Sequence, residues 1–319
     1  MISKRAYLIK EKEFVIREED VSITPCQLLV KVELCGLCNW ELNFWKGTGE
    51  YYTRYPLVIG HEWVGVVVET GSETEGFKVG DRVTLLPGVF EGFAEYTAVD
   101  ASDCYKLNPG IKPENAMGEP LKCIATVVRA AAPVVGDYGL VLGCGPMGFW
   151  CIQALKGNML GGCIAVDIDD GKLELAKKFG ATHTINSLKE DVASRINEIT
   201  NGRMCDFVIE GTGIPKLLNE AMLYTRNGGR VILMSSHEDK CSSFDFRPAI
   251  ERGISITAAH PSSSPDQKDD MRRAIALINN GTFDNSDIIS HRFKLEDINK
   301  AFETLENKPN NYIKGIIEF

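Results

Sequence analysis

A glycine-rich turn at residues 143–148 constrains this chain more than any other feature, because of what flanks it. Residues 137–170 read DYGLVLGCGPMGFWCIQALKGNMLGGCIAVDIDD. An apolar run at 138–142 leads into Gly143-Cys144-Gly145-Pro146-Met147-Gly148, a helix-like segment follows, and a second apolar run ends at Asp167. The order is strand, tight turn, helix, strand, with an acid closing the second strand. Gly143 serves the turn, Gly145 lets a pyrophosphate approach the backbone, and Gly148 permits close packing of helix on strand. The helix that Pro146 and Met147 open offers free N–H groups, from Met147 onward, and its positive dipole end to phosphates. Asp167, a little over ~20 residues on, stands where a carboxylate accepts from both ribose hydroxyls. The stretch predicts a dinucleotide site; the bland alternative is glycines serving ordinary turns.

The rest of the chain fits around this unit. After Leu121, β-like runs at 138–142, 163–167, 183–185, 205–210, 230–235 and 254–259 alternate with helical segments. Val192, Ile196 and Ile199 share one helical face, as do Leu217, Leu218, Ala221 and Met222. That alternation predicts an α/β doubly wound parallel sheet, the Rossmann arrangement. Residues 1 to about 120 read instead as closely spaced strands (27–34, 63–70, 81–85 and 93–99, with a Pro87-Gly88 turn), which suggests a compact barrel-like unit. Past Pro261 a helical pattern returns, with Ile298, Ala301, Phe302 and Leu305 on one face, and a β-like run at 312–319 ends the chain. Residues 261–319 are too few for an independent domain. They are therefore expected to rejoin the first unit, giving one domain of 1–122 with 261–319 and an inserted nucleotide domain of 123–260. The active site is then expected in the cleft between domains.

Composition narrows the partners. A chain of 319 residues with 44% hydrophobic content allows two full cores, and a net charge of −9 argues against a nucleic-acid partner. No apolar run is long enough to span a bilayer and the first residues do not read as a secretory signal, so a cytoplasmic location with reduced thiols is expected. The ten cysteines are scattered; Cys144, Cys151, Cys163 and Cys205 sit in apolar runs, and only Cys35 and Cys38 form a close pair.

Three short segments carry metal-ligating chemistry: Cys35-Gly-Leu-Cys38, Gly60-His61-Glu62 and Gly118-Glu119-Pro120-Leu121. Thiolate, imidazole and carboxylate together bind zinc, and a catalytic site needs about three protein ligands and an open position. Alone, Cys38 also fits a core position, His61 a turn, and Glu119 a helix N-terminus. Their joint presence beside a dinucleotide fold is what points to zinc.

Over essentially its whole length the chain resembles the zinc-dependent medium-chain alcohol dehydrogenases. The resemblance is carried by CGLC at 35–38, PLVIGHEWVGVVVETG at 56–71, VGDRV at 79–83, EPL at 119–121, GCGPMG at 143–148, VDID at 166–169 and HRFKLED at 291–297. It implies a mostly-β GroES-like catalytic domain into which the Rossmann domain is inserted. It also implies that Cys38 and His61 bind catalytic zinc, that Glu119 supplies the third ligand as in the sorbitol-type polyol branch, and that Glu62 is a fourth ligand, directly or through water. Thr212 and Gly213 resemble a segment lying under the cofactor, with an ordinary strand-to-helix turn as the alternative. Lys172 is placed to contact the adenosine ribose or is a solvated helix lysine. A homodimer or homotetramer is implied as well, with the 254–259 run as the exposed sheet edge available for pairing.

The chain departs from that pattern in three places. Residues 87–92 bridge two strands without the four-cysteine lobe that family members often carry there, so one zinc per chain is expected. The family's small residue, Ser or Thr, and Asp after the ligand cysteine, with a relay histidine in some members, are replaced by Asn39, Trp40, Glu41 and Asn43. Glu41 can still orient His61; Trp40 and Asn43 cannot relay a proton near neutral pH. Trp63 stands where small residues are common, so Trp40, Phe44, Trp45 and Trp63 either wall a pocket or belong in part to the core. The expected function is hydride transfer between a secondary alcohol (a polyol, cyclitol or sugar alcohol) and NAD, Asp167 disfavouring a 2′-phosphate and Glu62 named as proton carrier. The rivals are a metal-free medium-chain enone or quinone reductase and a non-catalytic NAD-binding protein.

Overall fold

The strand Gln27–Gly36 buries Leu28, Leu29, Val30, Val32, Leu34 and Cys35, and around it the first compact unit, Met1–Pro120 with Ala274–Phe319, is assembled. The structure, a computed structural model, describes residues 1–48, 54–86, 90–157, 159–236 and 243–319. The expected Pro87-Gly88 turn, the 87–89 portion of the cysteine-free bridge, and Cys241 lie outside the described residues.

In this unit the sheet order is Ile289–Lys294, Lys314–Glu318, Gln27–Gly36, Glu62–Thr70, Arg82–Leu85, Cys104–Lys106, with Tyr96–Asp100 also paired to Gln27–Gly36. A hairpin of Ile2–Lys10 and Glu13–Asp20 adds a second layer through Ala6, Leu8 and Phe14. Each fully buried aliphatic or aromatic side chain contributes roughly 1.5–3 kcal/mol. The cluster of Val30, Val67, Val83, Phe93, Trp45, Trp63 and Phe302 therefore holds the sheet rigid beneath its functional end. Strand register brings distant segments together there. Gly36 pairs with Glu62 across one neighbour and with Ile316 across the other.

Two features of this unit differ from the sequence pattern. The expected strand at 93–99 runs instead over Tyr96–Asp100, because Phe93 and Ala94 bond to the hairpin through Ala6 and Arg5. A helix, Asn39–Lys46, follows the Cys35-Cys38 pair; it buries Glu41, Leu42 and Trp45 on one face and ends at Gly47 in the left-handed region.

The second unit, Leu121–Arg273, contains a six-stranded parallel sheet in the order His183–Asn186, Gly162–Asp167, Tyr138–Leu142, Cys205–Glu210, Thr225–Leu233, Ser255–Ala258. These are the six strands expected, the fifth beginning earlier than residue 230. Chain order reverses at Tyr138–Leu142, which lies between its second and fourth companions, so the crevice of a doubly wound sheet opens at the end of this strand, where Gly143 begins. The unit's end also differs from expectation. Residues 261–273 belong here rather than with the first unit, because Arg129 lies 2.6 Å from both Asp269 and Asp270 while Thr126 and Ser264 donate to the fully buried Asp270. Among the described residues no helix is long and apolar enough to cross a membrane.

Candidate metal centre and dinucleotide cradle

The metal-ligating segments meet at one end of the first unit's sheet. Cys38 caps the Asn39–Lys46 helix where Gln27–Gly36 ends, and the neighbouring strand begins with Glu62, next to His61. Ligand atoms of Cys38, His61 and Glu62 all lie within 4.8 Å of one another. Glu119 joins them through His61: its Oε2 is 3.7 Å from Nε2. Two ligands about 2.0–2.1 Å from a tetrahedral zinc ion sit roughly 3.4 Å apart, so this separation suits a shared cation better than a direct hydrogen bond.

The supports are as specific as the ligands. Glu41, fully buried, accepts from the His61 backbone N–H at 3.0 Å, and the same oxygen lies 2.9 Å from Nδ1, which leaves Nε2 as the outward nitrogen. Thr84 donates to the Trp63 carbonyl at 3.1 Å and accepts from Gly118 N–H at 3.0 Å, anchoring the helix turn that carries Glu119. Glycine at position 36 leaves room for the Glu62 carboxylate, since a β-carbon there would meet Glu62 Oε2 at 2.1 Å. Lys314, buried and absent from the sequence-based candidates, places Nζ 2.5 Å from Glu62 Oε2. No periodicity distinguishes it; only the pairing of the last strand with Gln27–Gly36 brings it here.

Charge in the cluster is tightly coupled. Burial, seconded by the Glu62 carboxylate, pushes the Cys38 thiol up, with His61 opposing. Burial also weakens the His61 imidazole as a base, but Glu41 and Cys38 outweigh it and hold His61 well above its ordinary value. For Glu62 burial is outweighed by Lys314 and His61, so its carboxyl stays below the usual range. The ion pair with Lys314 thus favours the carboxylate form of Glu62. A part-buried sulfur, an imidazole nitrogen and the Glu62 carboxylate within 4.8 Å of one another, with Glu119 facing the imidazole, form the kind of donor set that zinc selects, and the residues fit that ion.

The aromatic residues divide. Trp45 and Trp63 are 1% exposed and belong to the core, so they do not wall a pocket. Trp40 lies edge-on to His61, with ring centroids 5.3 Å apart, and packs on Phe44 and on Phe90, which sequence reasoning missed.

In the second unit, Gly143 adopts φ +98°, and a β-carbon at Gly148 would strike the Gly143 carbonyl oxygen at 2.1 Å. At Gly145, which precedes the Pro146–Leu155 helix, a β-carbon would meet nothing within 4 Å. Turn, contact and open approach are thus distributed over the three glycines as a pyrophosphate cradle requires. Asp167 accepts from Cys144 N–H at 2.7 Å and from Ile168 and Asp169 N–H, so its carboxylate is fixed at the mouth of the turn. Thr212 packs its methyl against Gly143 and its N–H donates to Glu210; Gly213 follows at φ +70°. Lys172 starts the next helix, its N–H donating to Asp169. Pro146 and Met147 form the first helical positions. The buried Cys151, Cys163 and Cys205 of this unit are raised by burial, Cys163 to about 12, and are inert apolar fillers.

Comparison with known proteins matches both parts of the chain. The alcohol dehydrogenase GroES-like domain matches residues 24–109 and the zinc-binding dehydrogenase family matches residues 146–280. An L-threonine 3-dehydrogenase of Bacillus velezensis is 28% identical, covering 89% of each chain. D-xylulose reductase A of Aspergillus niger is 28% identical over 88% of this chain and 86% of its own. The crystal structure of 2R,3R-butanediol dehydrogenase from Bacillus subtilis superposes with a TM-score of 0.87 at 25% identity, covering 99% of both chains.

Proposed function

Because the chain belongs to the zinc-dependent medium-chain alcohol and polyol dehydrogenase family, we propose that it interconverts a secondary alcohol and its ketone with NAD, using one zinc per chain held by Cys38, His61 and Glu119 with Glu62 adjoining. The observation that carries this reading is the convergence of Cys38, His61 and Glu62 within 4.8 Å, with Glu119 Oε2 facing His61 Nε2. On this reading the first unit is the catalytic domain and the second the NAD-binding domain.

When bound, zinc supplies Lewis acidity toward an alcohol or carbonyl oxygen, and NAD supplies the hydride acceptor. The chain's own residues do the rest. Glu41 fixes the His61 tautomer by accepting a hydrogen bond from Nδ1–H, so that Nε2 is the basic nitrogen. Lys314 holds the Glu62 carboxylate through the ion pair to its Oε2. Gly145 and the first helical N–H groups receive the pyrophosphate, while Asp167 accepts from the ribose and repels a 2′-phosphate, which favours NAD over NADP. The Trp40 indole donates but cannot pass a proton on, so it does not serve as the relay a hydroxyl at this position would provide.

The substrate is a small molecule. A homodimer or homotetramer is supported by the exposed outer strand Ser255–Ala258, and a cytoplasmic location by the acidic composition. The test is an NAD⁺ reduction screen over secondary alcohols, diols, polyols, cyclitols and threonine with and without a chelator, run beside metal analysis. About one zinc per chain and chelator-sensitive turnover are expected. A metal-free protein that reduces enones would make it a reductase of the related kind, and tight NADH binding with no turnover would make it a sensor.

A further inference from the structure

Trp40 occupies the position where the resembling family carries a serine or threonine hydroxyl. Its surroundings show what the replacement does to the site. The indole stands nearly perpendicular to the His61 imidazole (88°, centroids 5.3 Å apart) and Phe90 does the same from another direction (77°, 6.0 Å). The two flanking rings touch each other, 5.4 Å between centroids, and Phe44 backs the indole at 4.6 Å. The imidazole that presents Nε2 to Glu119 is thus bordered by a continuous aromatic surface. Near it, Glu41 Oε1 is taken up by His61 and Glu62 Oε2 by Lys314.

We propose that Trp40, Phe44 and Phe90 make this side of the site a receptor for an alcohol with an apolar, alkyl or aryl, substituent on its carbinol carbon, in preference to a chain hydroxylated at every carbon. The proposal rests on the dehydrogenase reading above and narrows it. A hydroxyl pressed on ring faces gives up its water without a replacement partner, whereas an alkyl or aryl group leaves water and gains contact. Discrimination on that ground is worth about tenfold or more per misplaced hydroxyl.

The zinc-loaded protein with NAD⁺ is offered 2,3-butanediol and 1-phenyl-1,2-propanediol against xylitol and myo-inositol. A second readout is independent of turnover. Of the four tryptophans, Trp45, Trp63 and Trp150 are at most 1% exposed, so the emission that acrylamide quenches belongs to Trp40. The expected results are that the apolar-ended diols exceed xylitol and inositol at least tenfold in kcat/KM, and that they alone shield Trp40 from acrylamide. Trp40→Ser should reduce that preference about tenfold, as should Phe90→Ala, whose parent side chain is 39% exposed and whose loss the fold tolerates. If none of the four is oxidised while the phenyl diol still shields Trp40, the dehydrogenase reading falls and the apolar receptor stands. Equal shielding by xylitol, or an unchanged preference in both variants, overturns the receptor.

Discussion

Glu41 is the residue on which the geometry of His61 turns. A single oxygen meets both the backbone N–H and Nδ1, at 3.0 and 2.9 Å, in a place with no solvent access. Partners of this kind typically change metal affinity 10- to 100-fold when removed. Glu41→Gln keeps the shape and loses the charge, so zinc affinity in a chelator competition should fall by about that factor, with the fold intact by circular dichroism. An unchanged affinity would mean that His61 is oriented by something else. At this scale the sequence was informative about identity and silent about partnership. Cys38, His61 and Glu119 stand out as residue types able to ligate a metal, and Glu41 as the carboxylate near them. Lys314 and Thr84 look like any strand lysine and threonine. What singles them out is a contact 2.5 Å long in one case and a pair of hydrogen bonds in the other, both to residues remote in the chain.

At the scale of elements, the turn between Tyr138–Leu142 and Pro146–Leu155 separates stability from binding. A β-carbon on residue 148 would lie 2.1 Å from the Gly143 carbonyl oxygen, so Gly148→Ala must push helix from strand. Overpacking of that sort costs about 1–3 kcal/mol. At residue 145 a β-carbon meets nothing, and φ −80° suits alanine. Gly145→Ala should therefore change stability by less than about 0.5 kcal/mol while it obstructs the pyrophosphate's approach. Melting temperature and NADH fluorescence titration, measured on both variants, should give a lowered melting temperature for the first, and for the second an unshifted one with nucleotide affinity at least about tenfold weaker. Equal nucleotide affinity in wild type and Gly145→Ala would remove the phosphates from this turn. The parallel sheet was legible beforehand because period and length of its apolar runs survive in any tertiary context. The Asn39–Lys46 helix was not, since eight residues carry too little periodicity and its buried face includes a charged Glu41.

For the whole molecule the outer strand of the parallel sheet is the decisive surface. In Ser255–Ala258, Ser255, Thr257 and Ala258 are exposed, and among the described residues this strand pairs only with Thr225–Leu233. Two copies joined edge to edge would satisfy it. Thr257→Lys sets like charges against each other across such a junction and leaves the monomer untouched. Sedimentation velocity should show a dimer or tetramer for the wild type and a lighter species for the variant; a monomeric wild type at micromolar concentration would dispose of the assembly. Division of the chain into Met1–Pro120 with Ala274–Phe319, and Leu121–Arg273, has a similar character. That the last residues rejoin the first was readable from length, because so short a segment cannot bury a core alone. The position of the seam was not, because it depends on Arg129 and Thr126 capturing Asp269 and Asp270.

By itself the sequence determined the dinucleotide cradle, the alternation of strands and helices around it, and the side chains able to hold a metal. These follow from local chemistry: glycines where a side chain cannot fit, apolar periodicity, and the donor atoms each residue carries. Only the tertiary structure decided which tryptophans are core and which one faces the imidazole, that Lys314 pairs with Glu62, and that Glu41 and Thr84 hold His61 and the helix turn of Glu119 in place. Those outcomes depend on strand register and on the exclusion of water at one end of a sheet, properties of the folded molecule that no single segment possesses.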